Sequence, residues 1–299
     1  VPIALAAGPA RFLFVELGPR QTRLATSPYD ISKATEWLIE FETPRTAKLW
    51  KKMYLAACDE LRFSEFPKIV VVSVPGVVDE ARSRAILSPN LHWSEGFAFD
   101  QLHADQPEVR VHLMQEIRAL AIGRASLAPS TSSFLLVDFG TGVGSAAVMS
   151  GSLLQGPLAT VGEIGHTPVP GNPLLCGCGS TGCLETLMSR TAILSRFGVV
   201  SMSELSKALG RRSPPRWLTE RLDEAATVIV AAVNMLGVSD VILTGYFSEL
   251  PRQVVMYLQQ AIQRGAIWSR FGETRVEVAS RNRLGGLANN AFNRFLESL

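Results

Sequence analysis

Two stretches 122 residues apart repeat a pattern that few folds accommodate. Phe12-Leu-Phe-Val-Glu-Leu-Gly18 and Phe134-Leu-Leu-Val-Asp-Phe-Gly140 are each an apolar run carrying one acidic residue and closed by glycine. A continuous apolar run of this length reads as a strand buried on both faces, and the glycine reads as a turn into another strand. An acid-tipped hairpin in each half implies a duplicated domain with a cleft between the halves. The 299 residues suit two domains of ordinary size.

Between and after these runs, strand and helix patterns alternate. Pro44 suits the first turn of a helix capped by Thr43, with Leu49, Met53, Ala57 and Leu61 recurring at i+4. Lys68–Val74 is a β-branched strand stopped by Pro75-Gly76, and Val109–Leu113 is a further strand. Helices are predicted over Ile117–Leu127, Cys183–Phe197, Leu218–Leu236 and Gly286–Leu296, with a strand at Val241–Leu243. The alternation predicts α/β layers.

Charge is nearly balanced, at 29 Lys plus Arg against 27 Asp plus Glu, which argues against a nucleic-acid face or a polybasic membrane anchor. Only 19% of residues are charged and 47% are hydrophobic, as expected for a chain that buries part of its surface in an oligomer. The longest apolar run, Ala225–Val238, is interrupted by Thr227 and Asn234 and is shorter than the ~20 residues of a membrane span. Val1–Ala10 has no basic flank ahead of its apolar stretch, so no signal peptide is expected. Four cysteines form no disulfide framework, and a reducing, cytoplasmic location is expected.

Three of those cysteines lie within eight positions. Gly162-Glu-Ile-Gly-His166 precedes Cys176-Gly-Cys-Gly-Ser-Thr-Gly-Cys-Leu-Glu185. Three thiolates and one imidazole suit tetrahedral zinc, and a closed set of four protein ligands is structural. His166, Cys176, Cys178 and Cys183 are the expected ligands. Glycines let so short a loop wrap an ion at Zn–S distances of about 2.3 Å. Cys58 stands apart and reads as a core thiol.

With these motifs the chain resembles the ROK family of bacterial sugar kinases and sugar-responsive repressors, within the actin-like ATPase superfamily. Val74-Pro-Gly-Val-Val-Asp79, Pro89-Asn-Leu-His-Trp93 and Phe139-Gly-Thr-Gly-Val-Gly144 resemble the family's Pro-Gly turn, sugar loop and second phosphate loop. The resemblance implies two actin-like (ribonuclease-H-like) α/β domains, 1–115 and 116–285, with zinc loop 166–183 in the second. A terminal helix over about 286–299 would pack back on the first. It also implies a hexose or hexosamine in the cleft, hydrogen-bonded by Asn90, Glu163, His166 and Glu185, with Gly76 giving backbone room and Gln115 and Glu116 at the reacting end. Carboxylates accept from paired hydroxyls, and such a polar site rejects analogues that lack one. His166 would serve zinc with one ring nitrogen and the sugar with the other.

The kinase features are less complete. Where the family has an asparagine and a catalytic aspartate, the chain reads Gln115-Glu116. Glu116 is either a displaced general base or a helix-start carboxylate facing the macrodipole. The family's first phosphate loop, Asp-x-Gly-Gly-Thr-Lys, is here Glu16-Leu-Gly-Pro-Arg-Gln21, and Pro19 removes an N–H and fixes φ. Tyr246 and Phe247 stand where the family keeps a small residue beside adenosine, and read as an obstruction. Gly140, Thr141, Gly142 and Gly144 remain as candidate phosphate contacts.

Repressors of the family carry an N-terminal winged helix-turn-helix. The resemblance begins at Phe12, against at least ~50 residues for a small domain, so no such element is expected within this chain. Arg211, Arg212 and Arg216 flank prolines and read as a solvated loop. The leading expectation is a zinc-stabilised sugar sensor of the regulator branch, forming a homodimer or higher homo-oligomer. The alternatives are an ATP-dependent hexose kinase using Glu116 and Mg-ATP, and a structural oligomer that binds no sugar.

Overall fold

The computed structural model describes residues 8–156, 160–210 and 213–299. They form two compact units. The first takes the described residues through Pro129, Gly156, Thr160 and Asn282–Leu299; the second takes Ser130–Gln155 and Val161–Arg281. Arg211 and Arg212, read as loop residues, lie outside the described residues.

The first unit opens with β1 (Phe12–Leu17), β2 (Gln21–Ser27) and β3 (Ile39–Glu42), then α1 (Ala47–Glu60), β4 (Ile69–Val74), the short strands β5 (Val77–Asp79) and β6 (Arg84–Leu87), β7 (Arg110–Gln115) and α2 (Glu116–Ala125). Its sheet has the order β3-β2-β1-β4-β7, antiparallel on the β2 side of β1 and parallel on the β4 side. Every residue of β1 is buried. Leu13, Val15 and Leu17 meet the α1 face with Trp50 and Tyr54. Phe12 and Phe14 fill the opposite face, so an alternating pattern was never needed.

The second unit repeats this plan with β8 (Phe134–Phe139), β9 (Val143–Met149), β10 (Ser152–Leu153), α3 (Glu185–Met188), α4 (Arg190–Phe197), α5 (Met202–Leu209), α6 (Arg216–Leu236), β11 (Asp240–Gly245), α7 (Arg252–Gly265) and β12 (Arg275–Val278). The sheet order is β10-β9-β8-β11-β12, with β8 antiparallel to β9 and parallel to β11. The two repeated sequences are therefore the central strands of two sheets with one topology. The last helix, α8 (Arg283–Glu297), returns to the first unit.

Several local expectations change. The N-cap of α1 is Thr46, whose hydroxyl accepts from the Leu49 N–H at 3.4 Å, whereas Thr43 bonds Thr22 at 2.9 Å between hydroxyls. The helix predicted over Cys183–Phe197 is two, because Ser189 ends α3 and caps α4 through the Ala192 N–H. Arg216 opens α6 and its side chain is exposed.

The first unit runs beyond residue 115 because α2 packs directly on α8. A Cβ on Gly123 would lie 1.9 Å from the Asn282 carbonyl oxygen, and one on Gly286 would lie 1.8 Å from that of Ala119. The helices touch backbone to backbone, so α2 belongs with α8 rather than with the second sheet. Cys58 is on the buried face of α1, and burial pushes its thiol up to about 12. No helix among the described residues is long and apolar enough to cross a membrane.

Candidate functional site

The glycine-rich loop of the second unit closes on itself before it reaches any helix. Pro168 bridges to Cys183 and Leu175 to Thr181, while the Cys176 N–H donates to the Ser180 carbonyl at 2.8 Å. Asn172 ties the loop's exit by donating to the Cys183 carbonyl at 3.2 Å and to the Thr186 hydroxyl at 2.9 Å. These bonds bring His166, Cys176, Cys178 and Cys183 together, with their ligand atoms all within 4.8 Å of one another.

Two of the spacings match edges of a metal tetrahedron. Zn–S bonds of about 2.3 Å and Zn–N bonds of about 2.0–2.1 Å give tetrahedral S···S and S···N edges of about 3.8 and 3.6 Å. Cys178 and Cys183 have their sulfurs 3.7 Å apart, and Cys176 Sγ lies 3.6 Å from His166 Nδ1. Burial pushes Cys183 up to about 12, with its neighbouring thiols adding to the shift, and burial also raises Cys176. Burial opposes ionisation of Cys178 too, but hydrogen bonds from the Ser180 backbone and the two other thiols bring it down to about 7. Three sulfurs converging this closely cannot all ionise without a cation, and the donor set fits zinc.

His166 turns its other nitrogen away from the cluster, Nε2 lying 3.7 Å from Glu163 Oε2. Glu185, the first residue of α3, also borders the cluster. Its Oε2 accepts the Val143 N–H at 2.9 Å, and its Oε1 lies 4.0 Å from Cys176 Sγ. A Cβ on Gly142 would lie 2.5 Å from that Oε2, so the glycine is what admits the carboxylate. The second unit thus holds Glu163, Glu185, the four ligand candidates with His166 among them, and the 140–142 turn. Gly140 is buried, Thr141 is exposed and Gly144 lies in β9.

The remaining candidates lie in the first unit. Gly76, at φ +93°, makes the turn from β4 into β5, where a Cβ would lie 2.1 Å from the Leu87 carbonyl oxygen. Asn90 is exposed on a loop fixed from both ends: Glu95 accepts the Ser88 N–H at 2.8 Å and meets His92 Nδ1 at 3.1 Å. Those contacts, the backbone one foremost, hold the Glu95 carboxyl below its usual value. Trp93 Nε1 donates to the Pro44 carbonyl at 2.9 Å. Gln115 ends β7, its N–H donating to Glu80 at 3.2 Å, and Glu116 starts α2.

Two arginines missing from the sequence reading dominate the acidic groups. Arg283, buried and drawn down to about 10 by that burial, pairs through one guanidinium nitrogen with Glu16 and through another with Glu116. Arg281 makes a two-pronged pair with Asp138, at 2.7 Å to each oxygen, and Thr244 donates to the same carboxylate at 2.7 Å. A Cβ on Gly140 would lie 2.4 Å from Arg281 Nη2, so this guanidinium sits at the glycine turn. Buried strand-tip acids demand a cation, which was the available signal, but the sequence does not say which of 29 basic residues supplies it.

The aromatic obstruction read at Tyr246 and Phe247 is overturned. Both side chains are buried in the second core, tilted against Phe139 at ring distances of 5.9 and 4.6 Å, and the Tyr246 hydroxyl donates to the Met188 carbonyl at 2.7 Å. An apolar strand end with space behind it draws the rings inward.

Comparison with known proteins agrees with this architecture. A sequence profile of the ROK family matches residues 51–288. A candidate xylose repressor of Caldicellulosiruptor sp. strain Rt8B.4 is 30% identical over 230 residues, 70% of this chain and 57% of that protein. A glucokinase of Halalkalibacterium halodurans is 31% identical over 143 residues, 46% of this chain and 43% of the kinase. The chain thus spans about half the length of these curated relatives. The crystal structure of a ROK hexokinase from Thermus thermophilus superposes with a TM-score of 0.74 at 21% identity, covering 96% of this chain and 98% of that one.

Proposed function

We propose that this chain, which belongs to the ROK family, is a zinc-stabilised monosaccharide-binding protein of the regulator type and does not transfer phosphate. Glu163, His166 and Glu185 are its sugar-hydroxyl partners in the second unit. Asn90, Gly76 and Gln115 are the sugar-contact candidates of the first unit. His166, Cys176, Cys178 and Cys183 hold the zinc, whose role is to fix the loop that carries His166 and leads into Glu185. A structural metal contributes folding free energy directly, because the loop has no apolar core of its own.

The observation that carries the regulator reading is the pairing of Glu116 with buried Arg283. A general base must be free to take a proton, and a carboxylate held by a guanidinium is the weaker base for it. Arg281 on Asp138 at the glycine turn supports the same reading, since the position beside Gly140 already holds a cation. The kinase reading is favoured by one feature, the compact Gly140–Gly142 turn with its 2.8 Å internal hydrogen bond, which would face the γ-phosphate of Mg-ATP. A homodimer or larger assembly follows from the low charge fraction and is checked by light scattering.

The test is a thermal-shift panel of monosaccharides, with xylose and glucose first, run with and without Mg-ATP and followed by ADP detection. A sugar-dependent shift without ADP is expected, and Glu163→Gln should abolish it while leaving the zinc content unchanged. Sugar-dependent ADP release would overturn the regulator reading; no shift with any sugar would overturn sugar binding.

A further inference from the structure

A cavity of about 460 Å³ opens in the first unit, away from every residue assigned above. It lies where β1, β4 and β7 begin and where α8 ends. Arg110 and His112 stand on the same face of β7 as Met114, the face that packs toward α8. Across from them, the last turn of α8 contributes Arg294 and Phe295.

The walls differ in chemistry. One is aromatic: Tyr29 and Phe295 lie 4.5 Å apart between ring centres, and Phe12 meets Tyr29 edge-on at 5.8 Å. The other is cationic. Arg11, Lys68, Arg110 and Arg294 line the cavity against only Glu108 and Glu297. Glu65 already takes Arg11 at 2.9 Å and Lys68 at 3.9 Å, and Glu297 lies 3.5 Å from Arg294. Three carboxylates (Glu65, Glu108 and Glu297) thus stand against four cations, an excess of one positive charge, and Arg294 already shares its charge with Glu297. Arg110 and Arg294 both line the cavity with His112, whose ring burial holds below its ordinary value, with the Arg294 and Arg110 charges assisting and Glu297 opposing.

We propose that this cavity is a second small-molecule site that takes a sugar-sized phosphate monoester. Its phosphate would lie on Arg110 and Arg294 and its ring against Phe12, Tyr29 and Phe295. Guanidinium groups match phosphate geometry through paired donors, and the aromatic wall gives a ring apolar contact that inorganic phosphate lacks. A neutral sugar leaves the excess charge unanswered, and a cavity of about 460 Å³ is too small for a nucleic-acid strand.

The experiment is calorimetry on the full chain at low ionic strength with glucose 6-phosphate, inorganic phosphate and glucose. Glucose 6-phosphate should bind, inorganic phosphate should bind more weakly, and excess glucose should not displace the ester. Arg110→Gln and Arg294→Gln should each weaken the ester about ten- to a hundredfold. Phe295→Leu should weaken the ester and leave inorganic phosphate unchanged. Arg216→Gln, an exposed cation elsewhere, should change nothing. Melting curves verify folding, and because Arg110 is exposed, its variant carries the test should Arg294→Gln destabilise α8. Absence of ester binding, displacement by glucose, or affinity unchanged in the Arg110→Gln, Arg294→Gln double variant would each overturn the site.

Discussion

Glu16 and Asp138 end the same strand in two copies of the same sheet, yet they are held in different ways. Asp138 takes a two-pronged arginine pair, with Thr244 as a third donor, beside a three-residue turn, 140–142. Glu16 shares Arg283 with Glu116, and its hairpin turns through the longer 18–21 segment containing Pro19. Duplication preserved the scaffold and the need for a cation at each buried strand tip. What diverged is the neighbourhood: the second copy retains small residues at its turn and gains a metal-ready loop, whereas the first gains an ion-paired cluster tied to α8. Arg281 and Arg283 are only two positions apart, so one short segment answers both acids.

Breaking the second copy's metal-ready loop should have the largest effect. Metal-coupled folding is worth about 10–16 kcal/mol in small zinc domains, more than any single contact here. Chelation, or Cys183→Ser, should lower zinc from about one per chain and expose residues 161–190 to hydrogen exchange. Protection in β1 and β4 should remain. Loss of protection in both units together would show that they do not differ in this respect.

Next in size is the contrast between the arginines. Arg283→Met removes the buried cation between Glu16 and Glu116, leaving Glu16 with Arg23 at 3.9 Å, and should cost about 3–5 kcal/mol in urea unfolding. Arg281→Met, at a more open site where Thr244 still donates, should cost roughly 1–3 kcal/mol. Adding Glu16→Gln and Glu116→Gln to Arg283→Met should recover part of the loss. Equal costs for the two arginines would remove the distinction between the copies.

The smallest expected effect separates the units by pH. Burial holds His103 and His112, both in the first unit, below the ordinary histidine value. Lys51 assists at His103 and Asp105 opposes; at His112, Arg294 and Arg110 assist and Glu297 opposes. With folded values depressed, the unfolded chain binds the extra protons. The contribution is complete above about pH 6.5 and is lost as pH falls below it. First-unit stability should therefore decline from pH 7 to pH 5, and His103→Gln, which removes the ring paired to Tyr54 at 2.8 Å, should flatten the slope. An unchanged slope would exclude His103 as a contributor.

The features legible in advance were those written in contiguous residues. The hairpins, the four zinc ligand candidates and the α/β alternation each need only a run or a spacing. Roles that depend on packing across the sheet are not written in a local run. Thr46, not Thr43, caps α1, because Thr43 is taken by Thr22 across the sheet. Tyr246 and Phe247 follow a strand as a nucleotide-side residue would, but the core behind Phe139 accepts both rings. The short edge strand β12, with only alternate residues half-buried, carries too weak a pattern to announce itself.

By itself, the sequence determined that the chain is a duplicated α/β protein with a four-ligand loop in its second half, because strand burial and metal spacing are local properties. The tertiary structure alone decided what the acids do. Arg283 reaches Glu16 from 267 residues away and Arg281 reaches Asp138 from 143, and no local propensity records such distances. The Arg283 pairing follows from the close backbone contact of α2 and α8, which seats α8 against the first sheet, and both pairings from buried carboxylates that must find a cation in the folded chain.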